Sequence, residues 1–296
     1  MPDAQALSQP APLAGKRIVV TGAGAGLGRA YAVYAAANGA KVIVNDLDAA
    51  AAAAAADEIV AAGGVALSIG GSVADWTAAQ NVVALCVNNF GGIDGLVNNA
   101  GVHRVEQPWL ADEDTIRSIV TVNLMGAAFV GVHAMKHMVE QHHGSIVNIT
   151  SSAQLGLTNL GVYGATKGAL ASLTYSWAID LRDHGVRVNA YSPVAETAMT
   201  VGSPIPLTGI PKPDENAPIV GYLLSDLSAD VTGQVIQRRG DKLVVMTHPD
   251  LSEFAGTAAA DTIEGLHAQF GPVLRSGLQP VGDPRVRAAT SGQRES

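Results

Sequence analysis

The chain has 296 residues, 48% of them hydrophobic and 33 of them glycine, with a net charge of −8 and no lysine or arginine run. That length suits one large α/β domain or two small ones, and the acidic balance argues against nucleic-acid binding or an anionic-membrane surface. The single cysteine, Cys86, excludes an internal disulfide, and neither a membrane span nor a secretory signal is read, so a cytoplasmic location is expected.

Residues 1–15 read as a flexible extension. A first strand, Arg17–Thr21, runs into Thr21-Gly-Ala-Gly-Ala-Gly-Leu-Gly28, where a helix begins. Gly22, Gly26 and Gly28 let the backbone turn sharply and approach a pyrophosphate at the helix N-terminus, with Ala25 and Leu27 between them. A second strand, Lys41–Asp46, ends in a carboxylate that can accept hydrogen bonds from a ribose diol and would repel a 2′-phosphate. Ala25 offers no compensating cation, so both positions favour NAD over NADP. Asp48 caps a helix of eight successive alanines, Ala49 to Ala56. Ala66–Gly70 is the third strand. The fourth, Ile93–Asn98, ends in Asn98-Asn99-Ala100-Gly101, small and amide residues suited to a cofactor lying close to backbone.

In the next helix Ile116, Ile119, Val120, Ala127 and Val130 mark an apolar face. Asn123 falls on it, either as a structural tie or as a site residue. His142 and His143 read as solvated residues at a helix end. The fifth strand, Ser145–Thr150, leads to Ser151. Twelve residues on stands Tyr163, with Lys167 four residues further on the same helix face. An adjacent ammonium favours the phenolate, so the Tyr163 pKa is expected to fall from about 10 and make it a proton donor or acceptor near neutrality. Arg187–Ser192 and Gln234–Arg238 are the remaining strands of the main body. Five prolines between Thr200 and Ile219 exclude one regular helix there. Beyond Asp241 lie a strand-like Leu243–Met246 and a helix-like Ala259–Phe270. No GxSxG elbow and no metal-ligand spacing is present. Strand–helix alternation of this kind implies a parallel sheet with right-handed crossovers.

Taken in order, Gly22/Gly26/Gly28, Asp46, Asn98–Gly101, Asn123, Ser151, Tyr163 and Lys167 resemble the classical short-chain dehydrogenase/reductase family over about residues 16–240. The resemblance implies a doubly wound, mainly parallel seven-stranded Rossmann-type sheet, a substrate loop at about 195–218, and a C-terminal extension, 241–296, packing on the domain or a neighbouring subunit. It implies Tyr163 as general acid/base, Lys167 as its partner and ribose ligand, Ser151 as hydrogen-bond donor to the substrate oxygen, and Asn123 as holder of a relay water. It assigns NAD contacts to Gly22, Ala25, Gly26, Leu27, Gly28, Asp46, Leu47, Ser72, Val73, Asn99, Ala100, Gly101, Tyr163, Lys167, Pro193, Val194 and Thr197. Val194 replaces the family's usual glycine, so the backbone there is expected to differ. His103, Gln154, Asn159 and Thr200 lie where substrate would enter, His103 being either a pocket wall or an exposed loop residue. The substrate expected is a secondary alcohol or ketone on a hydrophobic carrier, in keeping with a weaker likeness to hydroxyacyl-CoA dehydrogenase domains. A homo-oligomer, dimer or tetramer, is implied as well. The rival readings are a silent NAD-binding protein and an epimerase or dehydratase using transient oxidation.

Overall fold

The computed structural model describes residues 11–195 and 210–249, together with 262, 265, 267 and 268. Among them, eight strands form one sheet in the order β3-β2-β1-β4-β5-β6-β7-β8. They are β1 (Arg17–Thr21), β2 (Lys41–Asp46), β3 (Val65–Gly70), β4 (Gly95–Asn98), β5 (Gly144–Ile149), β6 (Val186–Ser192), β7 (Val235–Arg239) and β8 (Lys242–Met246). The helices are α1 (Gly26–Ala37), α2 (Ala49–Ala61), α3 (Trp76–Phe90), α4 (Glu113–Val120), α5 (Ala127–Gln141), α6 (Gly161–Asp180) and α7 (Ala217–Leu224).

Strands β1 to β7 pair in parallel, as the alternation implies, and β8 pairs antiparallel to β7. The sheet therefore has one strand more than the expected seven. Gly240, at φ +61°, turns the chain back, so the boundary expected at 240 falls inside the β7–β8 hairpin. The described residues up to Met246 form one compact unit.

Parallel strands with crossovers on both sides bury both faces. Ile18, Val20, Val42, Val44 and Val147 pack with α1, α2 and α7. Val19, Ile43, Leu96 and Ile146 point the other way, toward α3 and α5. Full burial of each such side chain contributes about 1.5–3 kcal/mol. The continuous helix Glu113–Gln141 is long and apolar enough to cross a membrane by length and composition, yet its Val130, Ala134 and Met138 pack on the sheet as a core helix does. On α6, Leu170 and Leu181 are buried and Trp177 packs against Gly131.

At the amino end of the sheet Arg17 grips Asp94 through Nε at 2.7 Å and Nη2 at 2.6 Å. His143 is not merely solvated, because its Nε2 lies 2.7 Å from Asp94 Oδ1. His142 ends α5 at φ +56°. These ties join the amino ends of β1, β4 and β5. Within the sheet β1 has β2 on one side and β4 on the other, so the strand order reverses at β1. Open α/β sheets bind ligands in the crevice at that point.

Candidate active site

The glycine loop opens from β1 and is held by side chains of its neighbours. Thr21 Oγ1 accepts from the Asn99 and Ala100 N–H groups at 3.0 and 3.1 Å. Asn99 Nδ2 donates to the Thr21 and Gly22 carbonyls, both at 2.9 Å. A Cβ at Gly28 would fall 2.1 Å from the Gly22 carbonyl oxygen, so only glycine fits. Gly24, left out of the motif read from sequence, is as constrained: a Cβ there would meet Ala51 Cβ at 2.7 Å and Asp46 Oδ2 at 2.9 Å. Asp46 Oδ2 accepts the Gly24 N–H at 2.9 Å and Oδ1 accepts the Asp48 N–H at 3.1 Å. The carboxylate thus braces the loop and keeps lone pairs for a ribose.

The cap position of α1 is Ala25, which has no side chain to cap with, and the first turn holds no acidic residue. The orphan N–H groups of this turn therefore suit an anion, and the loop fits a dinucleotide pyrophosphate. Around it, Leu47 is exposed and Ser72 Oγ accepts the Ala74 N–H at 3.2 Å. Val73 is buried, its Cγ2 2.6 Å from where a Cβ on Gly126 would lie. Pro193 and Val194 follow β6, and the Val194 carbonyl accepts from Asn216 Nδ2 at 3.2 Å. Among the described non-glycine residues only His142 and Asn159 have positive φ. Val194 therefore sits outside the left-handed region that a glycine could take there. Thr197 and Thr200 lie outside the described residues.

Asn123 lies in a π-helical turn, Thr121–Gly126, that joins α4 to α5. Such turns recur at functional sites. Its side chain is fully buried; Oδ1 accepts the Val102 N–H at 2.7 Å, while Nδ2 donates to the Val102 carbonyl at 2.8 Å and to Thr166 Oγ1 at 3.2 Å. A Cβ on Gly101 would lie 3.3 Å from Asn123 Oδ1 and 3.5 Å from Lys167 Nζ. The end of β4, the π turn and α6 thus converge on one point. Lys167 is buried there, donating to the Ile149 carbonyl at 2.8 Å with Nζ 5.6 Å from the centre of the Tyr163 ring. Burial pushes its pKa down to about 8.

The expected fall in the Tyr163 pKa is not what the structure shows. Burial raises it, and a hydrogen bond with Ser151 offsets part of the rise. Ser151, rather than Lys167, makes the lowering contact. Ser151 Oγ also accepts the Ala153 N–H at 3.2 Å. The arrangement places a phenol and a serine hydroxyl together beside a buried ammonium, which is the equipment to exchange a proton with one oxygen atom while hydrogen-bonding it.

Comparison with known proteins now decides the family. Residues 16–204 match the short chain dehydrogenases. The chain belongs to that family. A short chain dehydrogenase from Mycobacterium avium superposes with a TM-score of 0.83 at 33% identity, over 92% of this chain and 98% of that one. An NAD+-bound xylitol dehydrogenase superposes with a TM-score of 0.72 at 30% identity, over 77% and 99%. A 3-oxoacyl-[acyl-carrier-protein] reductase of Thermotoga maritima is 35% identical over 239 residues, 76% of this chain and 96% of that reductase. The protein is thus a short-chain oxidoreductase, of a family that uses nicotinamide cofactors on CH–OH groups.

In this dehydrogenase the predicted pocket residues separate. His103 is partly buried, and its ring stands 5.7 Å from that of Tyr163 at 62°. Gln154 Nε2 lies 3.0 Å from Met246 Sδ on β8. Asn159 has φ +62° and its carbonyl accepts the Glu106 N–H at 3.0 Å. That is a turn position, which asparagine tolerates well. Sequence reasoning missed Thr21, Gly24, Thr166 and Met246. Thr21 and Gly24 stand inside the motif and could have been read from it. Met246 carries no local signal, because β-pairing alone brings it to Gln154.

Proposed function

We propose that the protein is an NAD-dependent oxidoreductase that interconverts a secondary alcohol and a ketone on a hydrophobic substrate, such as a hydroxyacyl thioester, steroid or terpenoid. The observation that carries this reading is the hydrogen-bonded Tyr163–Ser151 pair beside the buried Lys167, at the strand ends next to an uncapped glycine-loop helix. NAD is favoured by the Asp46 carboxylate at the end of β2, and a neighbour of similar fold is a dehydrogenase with NAD+ bound. Exposed Val102, Val105, Trp109 and Leu110 follow Gly101, and Leu155 follows Ser151. This apolar rim supports a lipophilic substrate.

When bound, NAD supplies the hydride acceptor. In oxidation Tyr163, as phenolate, takes the alcohol proton; in reduction it returns a proton to the forming alkoxide. Ser151 donates a hydrogen bond to that oxygen, which strengthens as negative charge develops. Lys167 lies across the face of Tyr163 and would hold the ribose of a bound NAD. Asn123 holds the Gly101–Val102 turn in register with α6.

The test is a panel of alcohols followed by NADH absorbance, with NAD compared against NADP. Acyl, steroid or terpenoid alcohols should turn over with NAD, and Tyr163→Phe should lower kcat/KM by about 10²–10⁴. Full activity in Tyr163→Phe would reject the mechanism, and turnover of small sugars alone would reject the substrate class.

A further inference from the structure

Asn216 stands at the start of α7, where an asparagine side chain ordinarily accepts a backbone N–H of the first helical turn. Asn216 makes no such bond. Pro218, in that first turn, has no N–H to offer. The Asn216 side chain turns inward instead and is fully buried. Its Oδ1 accepts from the Tyr191 hydroxyl at 2.6 Å. Its Nδ2 donates to the Val194 carbonyl at 3.2 Å and to the Lys212 carbonyl at 3.1 Å. Carbonyls only accept, so the NH2 group must face them, which leaves Oδ1 to the hydroxyl. Burial raises the Tyr191 pKa, so that hydroxyl stays a donor. One amide thus spends both hydrogens and its oxygen on the end of β6 and on the turn before α7.

The turn itself is fixed from elsewhere in the sheet. Pro213–Asn216 is a 3-10 turn. Glu215 Oε1 accepts the Lys212 N–H at 2.8 Å. From β7, Arg238 Nη1 donates to the Glu215 carbonyl, and Arg238 Nη2 lies 3.6 Å from Glu215 Oε2. At the other end of α7, Arg187 on β6 donates to the Leu223 and Ser225 carbonyls, both at 3.0 Å. The fold holds Asn216, and Asn216 holds the backbone that follows Ser192.

Tyr191 carries the link into the site. It is level with Ile149 on β5, whose carbonyl accepts from Lys167 Nζ. The Tyr191 carbonyl accepts the Thr150 N–H at 2.8 Å, and Ser151 comes next. Asp46 on β2 and the glycine loop after β1 suit the adenosine ribose and the pyrophosphate. In the strand order, β6 stands three strands from β1 on the side away from β2, roughly 14 Å at the usual spacing. A dinucleotide seated on the loop therefore runs its nicotinamide half over β4 and β5 toward Pro193 and Val194. A leucine at position 216 would fill similar space but give up all three bonds, leaving a buried hydroxyl and two carbonyls short of a partner.

We infer that Asn216, acting through Tyr191 and Val194, is the positioning residue that sets the Pro193–Val194 backbone against the nicotinamide half of the cofactor. It thereby sets how far the nicotinamide lies from the oxygen that Ser151 and Tyr163 hold. The inference rests on the NAD reading above.

ADP-ribose, which is NAD without its nicotinamide, separates this role from a general structural one. With full-length enzyme and titration calorimetry, Asn216→Leu should weaken NAD binding by about fivefold or more, the factor that one hydrogen bond contributes. ADP-ribose affinity should stay within about twofold, and kcat should fall by about tenfold or more, because a displaced reacting group slows the chemical step. Tyr191→Phe removes one of the three bonds and should show the same pattern on a smaller scale; it decides the matter if Asn216→Leu does not fold. Equal losses of NAD and ADP-ribose affinity, or NAD affinity and kcat that match the parent in the folded variants, overturn the inference. A parent that binds neither compound refutes the NAD reading and the inference with it, whereas variants that match a parent binding both refute the inference alone.

Discussion

Lys167→Met is expected to make the protein more stable and inactive. Lys167 is buried, with one hydrogen bond to a protein group, the Ile149 carbonyl, and burial lowers its pKa from the ordinary 10.5 to about 8. That drop corresponds to about 3 kcal/mol of unfavourable free energy when the amine is charged in the folded chain. Between the two values the unfolded chain binds more protons than the folded one, so stability rises with pH through this window. Methionine keeps the length of the stem and removes the charge, at the loss of one hydrogen bond worth about 1 kcal/mol. At pH 7 the variant should be about 1–3 kcal/mol more stable than the parent. At pH 9.5 that advantage should shrink by about 2 kcal/mol, because most folded molecules of the parent then carry neutral lysine. Urea unfolding of both proteins without cofactor, at the two pH values, measures the difference, while NADH formation reports the loss of activity. A variant less stable than the parent at pH 7 by more than about 1 kcal/mol, or a gap that does not change with pH, would refute the reasoning.

Gly28→Ala should weaken NADH binding by about tenfold or more, since the new Cβ would collide with the Gly22 carbonyl and displace the loop; fluorescence titration checks it, and unchanged affinity in a folded variant contradicts the loop geometry. Asp46→Asn keeps an acceptor for Gly24 but removes the charge, so the preference for NAD over NADP should fall by about tenfold in steady-state kinetics. Asp94→Asn should leave kcat unchanged, because Asp94 is at the opposite end of the sheet from the site. It should lower stability by about 2–3 kcal/mol at pH 7 by loosening the Arg17 fork. Burial alone would raise the Asp94 pKa, but its hydrogen bonds with Arg17 and His143 win and hold it below the ordinary 3.8. Its contribution is therefore complete above that value and is lost as the pH falls through the lower, folded value, where denaturation curves of parent and variant should converge.

Much of this molecule was legible in order along the chain. Strands buried on both faces read as unbroken runs of Ile and Val, so β1 and β2 were found to the residue. The glycine loop and the Tyr163–Lys167 spacing are local in sequence because the turn and the helix that use them are local in space. The eighth strand was legible as a strand, but not as part of the sheet, since nothing in Leu243–Met246 names its partner. Other features exist only through packing. Whether Asn123 was a tie or a site residue depended on Val102 and Thr166, residues 21 and 43 positions away. The direction of the Tyr163 pKa was misjudged from the pair alone, because the ammonium is a neighbour in sequence while the depth of burial and the Ser151 contact are set by the fold. Gln154 meets Met246 only because β8 pairs with β7, a partnership that no local pattern specifies. The sequence alone thus determined the elements and the chemistry they carry, because those depend on residues a few positions apart. The tertiary structure alone decided burial, ionisation and partnership, because those depend on which distant segments exclude water from the same point.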